Sequence, residues 1–178
     1  MAMLNKFWPL IVFTSFVLLS FSMVPRTSAK WLCKPCGSDC DKQIHTGPGE
    51  CEHCHMPLVD EKSIQFKNIP LSQICKKLGD PALITLDVRT VEEFNGTAPD
   101  KFGRIKNAIN IPIQELETRI DELTRYKNKE ILVYCSHSHR SPQAAWILNQ
   151  HGFKKVDNMA GGMSVWDDSV HCDSYRIK

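Results

Sequence analysis

From Ser63 onward, short apolar runs alternate with stretches in which apolar residues recur every three or four positions. The runs are ALITLDV (82 to 88), AINIP (108 to 112), ILVYC (131 to 135) and KKVDNM (154 to 159). Each is flanked by turn or helix signals and predicts a strand. Between them, IPLSQICKKLG places Leu71, Ile74, Cys75 and Leu78 on one helical face and stops at Gly79, and PIQELETRIDELTRY does the same with Leu116, Ile120 and Leu123. A third helix, PQAAWILNQHG, ends at Gly152. Strand and helix in alternation predict an α/β fold: an open, mainly parallel sheet with helices on both faces. Ligands of such sheets bind at the carboxyl ends of the strands. Cys75, on an apolar helical stripe, is expected to pack in the core. Nothing in the pattern chooses a fate for Cys172.

Ahead of this alternation the pattern changes. One Lys6, an apolar stretch from Phe7 to Val24 and the small residues Thr27-Ser28-Ala29 predict an export signal over residues 1–29, cleaved after Ala29. The competing expectation is an uncleaved membrane anchor, since the stretch lies at the lower limit for spanning a bilayer. Either one puts the rest of the chain outside the cytoplasm, in the periplasm or secreted. The 178 residues then divide into the signal, a small unit over 30–60 and a larger domain over 61–178. A net charge of +2 without a basic stripe argues against a nucleic-acid-binding surface.

The small unit is defined by cysteine. Five of the eight cysteines fall between Cys33 and Cys54, among them the C-x-x-C pairs Cys33/Cys36 and Cys51/Cys54. Two such pairs across a turn-rich segment can set four thiolates round one tetrahedral ion. Cys40, His45, His53 and His55 lie between or beside them, and Gly37 and Gly47-Pro48-Gly49 supply turns. Zinc is the default four-thiolate ion, while Met56 and the histidines also suit copper. Two disulfides with Cys40 left over, or a redox switch, are the alternatives. GECEHCHMPLV resembles the ending of small heavy-metal-binding modules of exported bacterial copper-handling proteins, with His55 where those modules carry glycine.

The remaining chemistry lies in YCSHSHRSP, Tyr134 to Pro142. Cys135 directly follows an apolar run, so it stands at the carboxyl end of a strand; Ser141 is a good N-cap and Pro142 suits the first helical position. Loop amides and a helix N-terminus around the sulfur favour its thiolate, the form that attacks sulfur or phosphorus. Arg140 offers forked donors to an anion. Cys135 is therefore a candidate nucleophile. A metal site formed by Cys135 with His137 and His139 is the rival, but alternate residues of a tight loop whose amides face inward send their side chains outward.

Four stretches then carry a resemblance: LDVRTVEEF (86 to 94), GRIKNAINIP (103 to 112), VYCSHSHRS (133 to 141) and MAGGMSVW (159 to 166). In this order they resemble the motifs of the rhodanese family of sulfurtransferases, over about Ser63 to Asp168. The resemblance implies sulfur transfer through a persulfide on Cys135, without a cofactor. The loop Ser136, His137, Ser138, His139 and Ser141 would hold the persulfide, and Arg140 would attract a donor such as thiosulfate. The implied partners are a small sulfur-containing anion and a thiol or other thiophilic acceptor. Asp87 and Arg89 match the family's structural pair. Ser138 and Asn107 stand where the family commonly has glycine, Arg104 where it has histidine, and NGTAPDKFG is a long approach to the second motif. Phosphatases and arsenate reductases of the same fold have one more residue between cysteine and arginine than the four here. Two further readings are a metal-binding or sensor protein with a weakly active domain, and a module that hands a metal or an electron pair to the sulfur site.

Overall fold

The computed structural model describes residues 29–167 and 172–178. The apolar stretch Phe7 to Val24 lies outside them, and among the described residues no helix is long and apolar enough to cross a membrane.

Five parallel strands form the main sheet: β3 (Lys67–Ile69), β4 (Ile84–Asp87), β6 (Ile109–Asn110), β7 (Ile131–Tyr134) and β8 (Val156–Met159), in the order β3-β8-β7-β4-β6. The centre belongs to β7, apolar throughout and buried at every position. Its side chains alternate with the period of a strand. Ile131, Val133 and then Cys135 join the core on one face with Leu86, Ala144, Leu148 and Phe153, while Leu132 and Tyr134 join Ile74, Ile105, Met159 and Trp166 on the other. Helix α1 (Leu71–Lys77) covers the second face and α3 (Arg140–Gln150) the first. The open parallel sheet with helices on both faces is thus the one expected.

The details differ in four places. Strand β3 is an edge strand of three residues, two of them exposed, too short and polar to show in the hydrophobic pattern. Residues 113–126 form turns and a 3-10 helix (Ile120–Tyr126) instead of an α-helix. Leu116 and Leu123 are nevertheless buried, because i to i+3 bonds such as Leu116 N to Ile113 O deliver the same apolar spacing. Helix α3 begins at Arg140, and His139 already has helical dihedrals, so Ser141 is not its N-cap. Pro142 remains within the first turn, where an amide has no intrahelical partner to lose. Finally, Cys75 is more than core filler: it is bonded to Cys172, tying α1 to the C-terminal segment. That segment ends in β9 (Arg176–Ile177), which pairs antiparallel with β5 (Arg104–Ile105).

Residues 31–60 form a separate antiparallel ribbon of β1 (Trp31–Cys33) and β2 (Leu58–Asp60), with a short 3-10 helix at Asp39–Lys42. Its buried interior is Cys33, Cys40, Cys51 and Leu58: three thiols and one leucine.

Candidate active site

Cys135 is the first residue past β7 and is 1% exposed. The loop that follows is held by its carbonyls. Met163 N donates to Cys135 O at 2.8 Å and Ser164 N to Ser136 O at 2.9 Å. This contact explains the second glycine of the pair ahead of Met163: a Cβ at Gly162 would stand 2.5 Å from Cys135 O and 2.6 Å from Ser136 O. With the carbonyls turned toward that 3-10 segment, the amides of Ser136 to His139 donate to no backbone carbonyl of the described residues. Ser141 Oγ lies 3.4 Å from Cys135 Sγ. Ser138 bends the loop with a φ of 60°, in the left-handed region, and its Oγ accepts from Asn158 Nδ2 at 2.9 Å.

Arg140 closes the loop, but its guanidinium already has a carboxylate. Nη1 donates to Glu93 Oε2 at 2.6 Å and Nη2 to Glu93 Oε1 at 2.7 Å. Glu93 also accepts from Ser136 Oγ at 2.7 Å and from Thr90 N at 3.0 Å. The Arg140 guanidinium holds the Glu93 carboxyl down at about 2, and the carboxylate in turn raises Arg140. The expected anion receptor therefore serves first as the loop's brace. Glu93 lies within LDVRTVEEF, and T-x-x-E at Thr90 to Glu93 is a capping-box pattern, but nothing in the sequence links it to Arg140. Both halves of that box form at the start of α2 (Val91–Asn95), which fixes the carboxylate that Arg140 needs.

His137 and His139 are exposed, as expected of outward-facing neighbours. The His137 ring meets Phe102 edge-on at 5.1 Å. Neither histidine groups with Cys135 as a candidate metal site among the described residues. Asp87 and Arg89 are both fully buried; Arg89 Nη2 donates to Asp87 Oδ2 at 2.6 Å and to Gly103 O at 2.8 Å, and Asn110 Nδ2 reaches the carbonyls of both residues at 3.0 Å. The pair thereby ties β4 to β6 and to the approach to β5.

In the ribbon, Cys33, Cys40, Cys51 and Cys54 bring their sulfurs within 4.8 Å of one another. A tetrahedral ion with Zn–S bonds of about 2.3 Å needs sulfurs roughly 3.8 Å apart, so this set fits with small adjustment. It differs from the expected set in one corner, where Cys40 stands in place of Cys36; Cys36, whose sulfur lies 3.2 Å from Asp41 Oδ1, groups with Cys33, Cys40 and Asp41 in a second, overlapping candidate set. The reason is the turn at Gly37 and the 3-10 helix after it, which carry Cys40 into the interior. All five thiols of the ribbon are free. Burial pushes Cys33 up, and Cys40 up to about 12, while amides of Cys54 and His53 bring Cys51 down to about 7. Buried thiolates in such a cluster require a cation, which suits the donor set to a soft metal ion.

The ribbon and the Cys135 loop meet. Between them lies a cavity of about 520 Å³, lined by Cys33, Gly37 and Asp41 on one side and Phe66, His137 and Ser138 on the other.

Comparison with known proteins agrees with the fold and motifs. The protein YrkF of Bacillus subtilis (strain 168) is 35% identical over 107 residues, covering 60% of this chain and 54% of YrkF. The thiosulfate sulfurtransferase PspE of Escherichia coli (strain K12) is 36% identical over 78 residues, covering 44% of this chain and 68% of PspE. A protein of unknown function from Rhodopseudomonas palustris has the same fold, with a TM-score of 0.51 at 22% identity, over 64% of this chain and 85% of its own. The match thus spans about half the length of YrkF. The rhodanese-like domain family matches residues 71–169, more than half of the chain and every segment that builds the Cys135 loop, and the chain belongs to that family.

Proposed function

We propose that the protein is an exported sulfurtransferase that moves a sulfane sulfur from an anionic donor such as thiosulfate to a thiol acceptor through a persulfide on Cys135. The observation that carries this reading is the four-residue loop at the end of β7, with its carbonyls tied back to Met163 and Ser164 and its amides left for an anion. In the first step the Cys135 thiolate attacks the outer sulfur of thiosulfate. The new S–S bond forms as the old one breaks, and sulfite leaves with the electron pair. In the second, the acceptor thiolate takes the outer sulfur and the Cys135 thiolate is restored, so no external oxidant is consumed.

Since Glu93 neutralises Arg140, the donor's charge is met mainly by the amides of Ser136 to His139, with His137 and His139 at the rim. Ser141 steadies the sulfur, and Asp87 with Arg89 holds the strand ends. The Cys75–Cys172 disulfide supports an oxidising compartment. Residues 1–29 then serve as the export segment, 30–60 as a zinc module on Cys33, Cys40, Cys51 and Cys54, and 61–178 as the sulfurtransferase domain. A thiosulfate:cyanide assay of the reduced chain and of Cys135→Ser tests the reaction: turnover in the first and none in the second is expected, and equal rates contradict the proposal.

A further inference from the structure

The turn between Cys36 and Cys40 is seated on the Cys135 loop. Gly37 has a φ of +77°, and a Cβ there would stand 2.0 Å from Ser138 O and 2.9 Å from His139 Cα. Only a glycine allows so close an approach. The residue it touches is Ser138, which the loop holds in the left-handed region at some cost to an L side chain. The module therefore bears on the loop at its most strained point.

What fixes the turn is on the module's own side. The amides of Cys36 and Gly37 donate to the Asp41 carboxylate at 3.1 and 2.8 Å. Cys33 before the turn and Cys40 after it belong to the sulfur tetrad. A second contact leads to the same place: Lys34 Nζ lies 4.8 Å from the centroid of the Trp146 ring, on the helix that begins where the loop ends. Apart from Leu58, with Trp31 and Met56 against it, the module's interior is made of its thiols, and folding of so small a unit is coupled to the ion it binds.

We infer that a metal ion in the Cys33, Cys40, Cys51 and Cys54 tetrad positions the sulfur-transfer loop, by way of the Gly37 contact on Ser138. With zinc bound, the turn is rigid and holds Ser138 in its bent conformation, so the loop amides stay convergent on Cys135. With zinc removed, the turn loosens and the loop opens. The proposal rests on the zinc reading of the module and adds to it a positioning role in sulfur transfer, carried by a contact between two backbones.

The test uses the full chain with its disulfide intact and its free thiols reduced, stripped of metal and then reloaded with zinc. Metal content gives the stoichiometry, and hydrogen exchange over residues 136–141 and the iodoacetamide alkylation rate of Cys135, both read by peptide mass spectrometry, report the loop. One zinc per chain is expected, with loop exchange slowed about tenfold on loading and exchange in β7 and β4 unchanged. Gly37→Ala is expected to keep one zinc and lose this response, and Cys40→Ser to lose both. Cys36→Ser, outside the tetrad, should keep both. Bound zinc with unchanged loop exchange and alkylation overturns the positioning role alone, as does Gly37→Ala behaving as wild type. Absence of stoichiometric zinc overturns the metal reading and the positioning role together. Neither readout needs turnover, so a failure of the sulfurtransferase reading is separate.

Discussion

Three residues of the described chain other than glycine have a positive φ: His55, Asn107 and Ser138. All three stand where the resembled families carry glycine, and each takes the left-handed conformation that the missing glycine raised a question about. The backbone kept its turn, and the side chain bears the strain. Asn107 is exposed, which makes it the cleanest site to measure this. Asn107→Gly should leave stability nearly unchanged, because asparagine tolerates the left-handed region. Asn107→Val should cost about 1–2 kcal/mol, read from urea unfolding midpoints, since a β-branched side chain does not tolerate it. Cys135 and its loop length were also legible at this scale. The part played by Cys40 was not, because C-x-x-C spacing draws attention to Cys36, and only the folded turn brings Cys40 beside Cys33, Cys51 and Cys54.

Among the elements, the strands were the most legible, since β4, β6, β7 and β8 each fall within an apolar run. Helix starts were less so: Ser141-Pro142 looks like a cap and a first position, yet the loop is short enough that helical dihedrals begin at His139. Least visible was the job of α2. Its capping box holds Glu93 in place, and Glu93 reaches across to the first residue of α3. The pair makes a pH prediction with a definite sign. Arg140 depresses the folded pKa of Glu93 to about 2 from an ordinary 4.5. Its stabilisation is therefore complete above about pH 4.5 and is lost as the pH falls toward 2. The amount is roughly 1–2 kcal/mol once solvent at the open side of the pair is allowed for. Glu93→Gln should lower stability at pH 7 and flatten the acid limb of a stability-against-pH curve measured by thermal unfolding; an unchanged acid limb would show that the pair contributes nothing.

At the scale of the molecule, two long-range links were hidden from the sequence. One is the Cys75–Cys172 disulfide, which closes a separation of 97 residues. Cys75 sits on an apolar stripe, so packing accounted for it and its partner went unassigned. Replacing both with serine should cost about 2–4 kcal/mol, measured as unfolding free energy in denaturant, because the unfolded chain regains the freedom of a long loop. The other is the seating of the cysteine-rich ribbon on the loop through Gly37, Ser138 and the cavity between them. Hydrophobic periodicity states which face of an element is buried, but two small units meet through backbone and polar contacts that leave no period. The sulfur chemistry at the centre of that arrangement is open to one direct measurement: the mass of Cys135 after the reduced protein meets thiosulfate without an acceptor. A gain of one sulfur atom on the peptide carrying Cys135, removed by cyanide and absent in Cys135→Ser, is the predicted result. An unmodified Cys135, or sulfur found only on the cysteines of residues 33–54, would contradict it.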